Sequence, residues 1–160
     1  MDALELARSR TYPVGVARAF DTLLPLPLPQ LFARRYAALP AIREVRDHSG
    51  DPGDAWGTVG QSRTIVLADR STMRETLTSV ERPDSFGYRI DQVHGPLRPL
   101  ASSIDGRWSF EKAGTGVRIT WTWSVRPTSA ATALLMPSFG RMWQGYARQA
   151  LERLEDLLLT

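Results

Sequence analysis

One carboxylate in this chain stands where a strand should bury it. In STMRETLTSVE, residues 71–81, Glu75 shares its parity with Met73 and Leu77, the apolar side of an alternating stretch. A carboxyl group on a buried face has its pKa raised by desolvation unless a cation offsets that. The candidate cation is Arg63, in the segment just before. Arg63 lies opposite Glu75 if the intervening loop has three residues. With a loop of two or four, Ser62 and Thr64 occupy that face and Arg63 points out. Two readings are open: Glu75 and Arg63 form a buried structural ion pair, or Glu75 anchors the polar end of a ligand, with a general base as its further chemical role.

Other reactive side chains are few. His48 and His94 are the only histidines, too far apart in sequence for a HExxH pattern. His48 sits in HSGDPGDAWG, a stretch dense in Gly, Asp and Pro that reads as a solvated loop. Asp47, His48, Asp51 and Asp54 could be drawn as a metal cluster, but turns demand the same residue types. His94 opens HGPLRPLASS, a longer loop with the composition of a lid: Gly95 for flexibility, Pro96 and Pro99 for shape. No GxSxG elbow is present, and the glycines at 57 and 60 match neither a phosphate loop nor a dinucleotide fingerprint. The sequence therefore calls for no cofactor and no metal, and assigns no catalytic residue.

Aromatic residues are the other concentration of chemistry. Tyr88, Trp108, Phe110, Trp121 and Trp123 converge on one expected face. Core packing alone would use such residues. Their ring faces also suit an apolar or aromatic ligand at low conformational cost.

The elements that position these groups follow from periodicity. GVRITWTWSVRP, 116–127, alternates Val117, Ile119, Trp121, Trp123 and Val125 with polar residues, the pattern of an antiparallel strand covered on one side. Earlier strands are expected over 58–69, 71–81, 86–93 and 104–114, with Ile42 to Asp47 as a short one. A first strand is placed within 8–20, with Tyr12, Val14 and Val16 on one parity and Pro13 marking an edge or a bulge. A short helix is expected over 29–38, with Leu31, Phe32, Tyr36 and Leu39 inward, ended by Pro40. Residues 129–136 form a helical turn or lid, which Pro137 separates from the final element.

That element is a helix over Ser138 to Leu159. Phe139, Met142, Trp143, Tyr146, Ala150, Leu151, Leu154, Leu157 and Leu158 fall on one face at helical spacing. At about 1.5 Å per residue it is about 30 Å long, enough to cover a sheet. Its second half is Leu and Ala, which pack. Its first half mixes Phe, Met, Trp and Tyr with Gly140 and Gly145, a less regular surface suited to bordering a cavity. The class is α+β, a curved antiparallel sheet of about six to seven strands holding one long C-terminal helix.

Composition narrows the partners. The 160 residues read as a single domain spanning 1–160, with 42% hydrophobic and 23% charged residues. There is no Cys, hence no disulfide framework or thiolate metal site. The net charge of +3 and pI near 9.8 invite a nucleic-acid reading, but all basic residues except Lys112 are arginines, scattered among acids. No nucleic-acid partner is expected. No apolar run approaches a membrane span and the N-terminus lacks a signal pattern, so a cytoplasmic protein without a membrane anchor is the expectation.

At this point the chain resembles the START/Bet v 1-like (SRPBCC) helix-grip superfamily, and within it the polyketide cyclase/dehydrase and lipid transport branch. Element order carries the resemblance over nearly the whole chain. Locally it rests on GTVGQSRTIVLADRSTMRETLTSVERPDSFGYRI, with Gly60, Arg63, Glu75, Leu77, Pro83 and Tyr88 at the family's Gly, Arg, Glu-x-Leu, turn and aromatic positions. The HGPLR loop (94–98) is similar to one that closes over ligand in plant hormone receptors of this fold. The resemblance implies an internal apolar cavity between sheet and helix for a lipid, polyketide or other small hydrophobic molecule. Its expected lining includes Glu75, Tyr88, Trp108, Trp121, Phe139, Met142 and Tyr146. The alternative is an aromatase/cyclase-type enzyme, for which Glu75, Tyr88 and His94 are the available acid/base groups, although no catalytic constellation of the family maps onto the chain.

Overall fold

The computed structural model describes residues 2–51 and 53–160. Seven strands form one antiparallel sheet: β1 (Leu4–Tyr12), β2 (Ile42–Arg46), β3 (Ser62–Leu67), β4 (Thr72–Glu81), β5 (Ser85–His94), β6 (Ala101–Ala113) and β7 (Gly116–Pro127). Their spatial order is β1-β7-β6-β5-β4-β3-β2, so the chain meanders from β2 to β7 and β1 adds to the far edge. Helices α1 (Val16–Leu23) and α2 (Leu28–Leu31) follow β1; α3 (Ala130–Ala133) and α4 (Met136–Leu159) end the chain. The sheet is bent where β4 and β5 slip register, with one extra residue on β5 beside Gln92 and one on β4 beside Thr78. The concave face holds α4.

Helix α4 has 24 residues, about 36 Å at 1.5 Å per residue. Pro137 lies in its first turn and begins the helix instead of separating it from a preceding turn. Phe139, Trp143, Tyr146, Ala147, Ala150, Leu151, Leu154 and Leu158 are buried against the sheet. Polar ties fix its depth and rotation. The Tyr12 hydroxyl donates to the Leu151 carbonyl at 2.6 Å, Arg10 pairs with Glu155 at 2.6 Å, and Gln144 donates to the Ala7 carbonyl at 3.1 Å.

Two expected elements are corrected. The first strand runs from Leu4 to Tyr12, and residues 16–20 lie in a helix. Val16, Ala19, Phe20 and Leu23 have helical spacing, which the strand parity of Tyr12, Val14 and Val16 obscured. The start of β1 was masked because its inward parity carries Arg8 and Arg10, which reach the polar flank of α4. The expected helix over 29–38 shrinks to Leu28–Leu31. Beyond it the chain is irregular, with Ala37 at φ 51° and a bridge between Tyr36 and Leu39. Tertiary contacts override helix propensity here: the Tyr36 ring lies on α4 where Gly145 has no side chain, and a Cβ there would come within 2.0 Å of it.

Candidate functional site

The β3–β4 hairpin settles where Arg63 points. Its loop is Ala68 to Arg70, three residues, with the Leu67 N–H donating to the Ser71 carbonyl and Arg70 in the left-handed region at φ 71°. Arg63 therefore pairs with Glu75 across the ladder. Both side chains are buried, and Arg63 Nε donates to Glu75 Oε1 at 2.6 Å. The guanidinium of Arg63 also lies 3.9 Å from the centre of the Trp56 ring, from the loop before β3. Along the same row of the sheet stand Ile90, Ile104 and Val125, so this ion pair ends a row that is otherwise apolar.

The adjacent row reads Leu77, Tyr88, Gly106, Trp123 and Leu6 across five strands. Tyr88 lies flat across β6, because Gly106 offers no Cβ; one placed there would sit 2.1 Å from Tyr88 Cζ. The ring thereby reaches β7, where its hydroxyl accepts hydrogen bonds from Trp121 Nε1 at 2.7 Å and Trp123 Nε1 at 2.8 Å. Burial pushes the phenol pKa up, the nearby Glu75 charge adds to that, and the two indole donors pull it back only in part. Tyr88 is thus a neutral hydroxyl across the ordinary pH range.

Around these groups lies a cavity of about 160 Å³. That is room for on the order of ten waters, or a small organic molecule. The sheet contributes Arg63, Ile65, Met73, Glu75, Phe86, Tyr88, Ile90, Trp108, Trp121 and Trp123; α4 contributes Phe139, Met142 and Tyr146; Pro96, Leu97 and Leu100 come from the β5–β6 connection. All seven residues singled out from the sequence border it. Trp108 and Trp121 stack at 5.1 Å and 7°, Phe32 and Tyr146 at 5.3 Å and 10°, and the Tyr146 hydroxyl donates to the Pro40 carbonyl at 2.9 Å. The rings are held in place by one another.

The family model described as polyketide cyclase / dehydrase and lipid transport matches residues 3–158. The chain belongs to this family. No curated protein matches the sequence. Among solved structures, ginseng major latex-like protein 151 from Panax ginseng is similar at a TM-score of 0.74 and 13% identity, covering 100% of both chains. Ara h 8.0201 is similar at 0.68 and 13%, covering 98% of both. The protein XoxI from Bacillus cereus is similar at 0.71 and 13%, covering 97% of this chain and 95% of that one. At such identities the likeness is one of fold: the Bet v 1-like helix-grip, a sheet closed on a C-terminal helix.

Within this polyketide cyclase/dehydrase and lipid transport family member, some expected groups stand apart from the cavity. His94 is exposed at the end of β5; its neighbours Pro96 and Leu97 border the cavity. His48 is exposed and packs edge-on against Trp56 at 6.2 Å. No group of three or more metal-ligating side chains occurs among the described residues. Asp54 Oδ2 instead accepts the Asp51 N–H, which closes a turn. Phe110 is buried outside the lining, packed on Phe20 at 5.3 Å.

Sequence reasoning missed two contributions. Leu24, Leu26 and Leu28 wall one side of the cavity. Their signal was the alternation in LPLPLP, which turns Leu24, Leu26 and Leu28 inward while Pro25 and Pro27 remain exposed. Gly106 was the other, and only its place opposite Tyr88 reveals its purpose.

Proposed function

We propose that this protein binds a small hydrophobic molecule in the cavity between sheet and α4, with Glu75, Tyr88, Trp108, Trp121, Phe139, Met142 and Tyr146 among its contacts. The carrying observation is the lining itself: apolar and aromatic side chains on most sides, with the buried polar side chains of Arg63, Glu75 and Tyr88 among them. A few polar groups in an apolar cleft orient a ligand while apolar burial supplies most of the affinity. Membership of a family described by polyketide cyclisation and lipid transport supports this reading, and carrying or sensing such a molecule is the activity it favours.

An enzymatic role of the aromatase/cyclase kind would have to use Glu75 or Tyr88, the acid/base groups of that proposal which border the cavity. Tyr88, with its pKa held up, suits donating a proton or hydrogen bond better than removing one. The test of the binding reading is uptake of an uncharged, environment-sensitive apolar dye, N-phenyl-1-naphthylamine, followed in the wild type and in Met142→Trp. Met142 is half-buried and borders the cavity, so an indole there fills space without replacing a buried core residue. Dye binding should fall by about tenfold or more while the unfolding midpoint stays close to that of the wild type. Unchanged binding would place the dye, and the site, elsewhere.

A further inference from the structure

The polar groups of the cavity carry a donor and acceptor pattern that narrows the ligand class, an inference that rests on the cavity being a binding site. Tyr88 is 6% exposed. Its oxygen receives the Trp121 and Trp123 indole N–H groups at 2.7 and 2.8 Å. An indole nitrogen is a donor only, so neither bond can run the other way, and together they occupy both lone pairs of the phenol. What remains is the hydroxyl proton. Among the described residues no acceptor for it lies within hydrogen-bond distance, and the side chain borders the cavity. Tyr88 is therefore built as a hydrogen-bond donor, held in direction by two tryptophans and by the flat seat at Gly106.

Beside it, charge is already balanced. Arg63 commits Nε to Glu75 and its flat face to Trp56, and the two side chains sum to zero charge. An anionic ligand would bring a second buried negative charge to one buried cation, with nothing further to offset it. A neutral molecule avoids that. A carbonyl oxygen accepts without carrying a proton that would itself need a partner. We infer that the ligand is uncharged, apolar over most of its surface, and carries a carbonyl oxygen that accepts the Tyr88 hydroxyl. An ionised fatty acid or aromatic acid is the class this site disfavours.

Three probes on one skeleton test this by calorimetry: 2-acetylnaphthalene, the near-isosteric hydrocarbon 2-isopropenylnaphthalene, and 2-naphthoate. Removing the donor with Tyr88→Phe should lower the ketone-to-hydrocarbon affinity ratio by about three- to tenfold, the range of one net hydrogen bond. Taking the ratio cancels whatever the substitution does to packing, which the hydrocarbon alone reports. Naphthoate should bind more weakly than the ketone to the wild type. The infrared stretch of the bound, carbon-13-labelled ketone should lie below its value in hexane, which decides the point even if Tyr88→Phe fails to fold.

Hydrocarbon binding with a ratio indifferent to residue 88, a carbonyl frequency equal to that in hexane, or naphthoate as the tightest probe would each overturn the inference and leave the cavity reading standing. Failure of all three probes to bind folded wild-type protein would overturn both.

Discussion

Tyr88 accepts a 2.8 Å hydrogen bond from Trp123 two strands away, and it does so by lying over the bare backbone of Gly106. This relationship sets a steric limit that can be tested. In Gly106→Ala the new methyl would sit 2.1 Å from Tyr88 Cζ, so the ring must lift and both indole bonds must lengthen or break. Overpacking in a filled core costs about 1–3 kcal/mol, and each lost hydrogen bond adds about 1 kcal/mol. Chemical denaturation should show Gly106→Ala less stable by about 2–4 kcal/mol, against a gain expected from alanine's reduced unfolded-state entropy alone. In a Tyr88→Ala background, where the ring is gone, the same Gly106→Ala change should cost much less, so the two substitutions should be strongly non-additive.

The Arg63–Glu75 pair makes a second prediction. Removing one partner leaves an uncompensated buried charge, at a cost of about 3–5 kcal/mol, whereas replacing both by apolar residues is often neutral. Glu75→Leu and Arg63→Met should each be strongly destabilising and the double variant much less so. A double-mutant cycle showing simple additivity would mean that the two charges do not depend on each other.

Tyrosine burial predicts the alkaline limit of the fold. The pKa values of Tyr12, Tyr88 and Tyr146 are all raised, chiefly by desolvation. Unfolded tyrosine ionises near pH 10. Between that pH and the higher folded values the unfolded chain loses protons that the native protein keeps, so stability falls as pH rises. The contribution is complete below about pH 10 and is lost above it. Unfolding midpoints should fall steeply beyond about pH 10, with the phenolate absorbance near 295 nm rising together with loss of structure. Phenolate appearing well before unfolding would contradict the buried placement of these rings.

How far the sequence could be read depended on whether a face was chemically uniform. β7 and α4 were legible because Val117 to Val125 and Phe139 to Leu158 carry unbroken apolar parities. β1 was misplaced because Arg8 and Arg10 stand on its inward side, where polar atoms of α4 receive them. Glu75 could be placed on a buried face from its neighbours alone. Its pairing could not, since that turned on a loop of three residues with Arg70 in the left-handed region, a conformation arginine does not advertise. Gly106 carries no signal of its own in the sequence and Gly145 reads only as part of an irregular helix surface, yet each is a seat for a tyrosine ring brought from another element. Contacts of that kind exist only after folding.

The most direct test of the proposed function is native mass spectrometry of freshly purified protein, with a denatured portion of the same sample extracted for small molecules. A cavity of about 160 Å³ lined as this one is should retain an apolar guest through purification. The account predicts an adduct on the native protein, released on denaturation and absent from Met142→Trp prepared in parallel. A clean mass for the wild type, joined to no uptake of apolar probes at millimolar concentration, would contradict it.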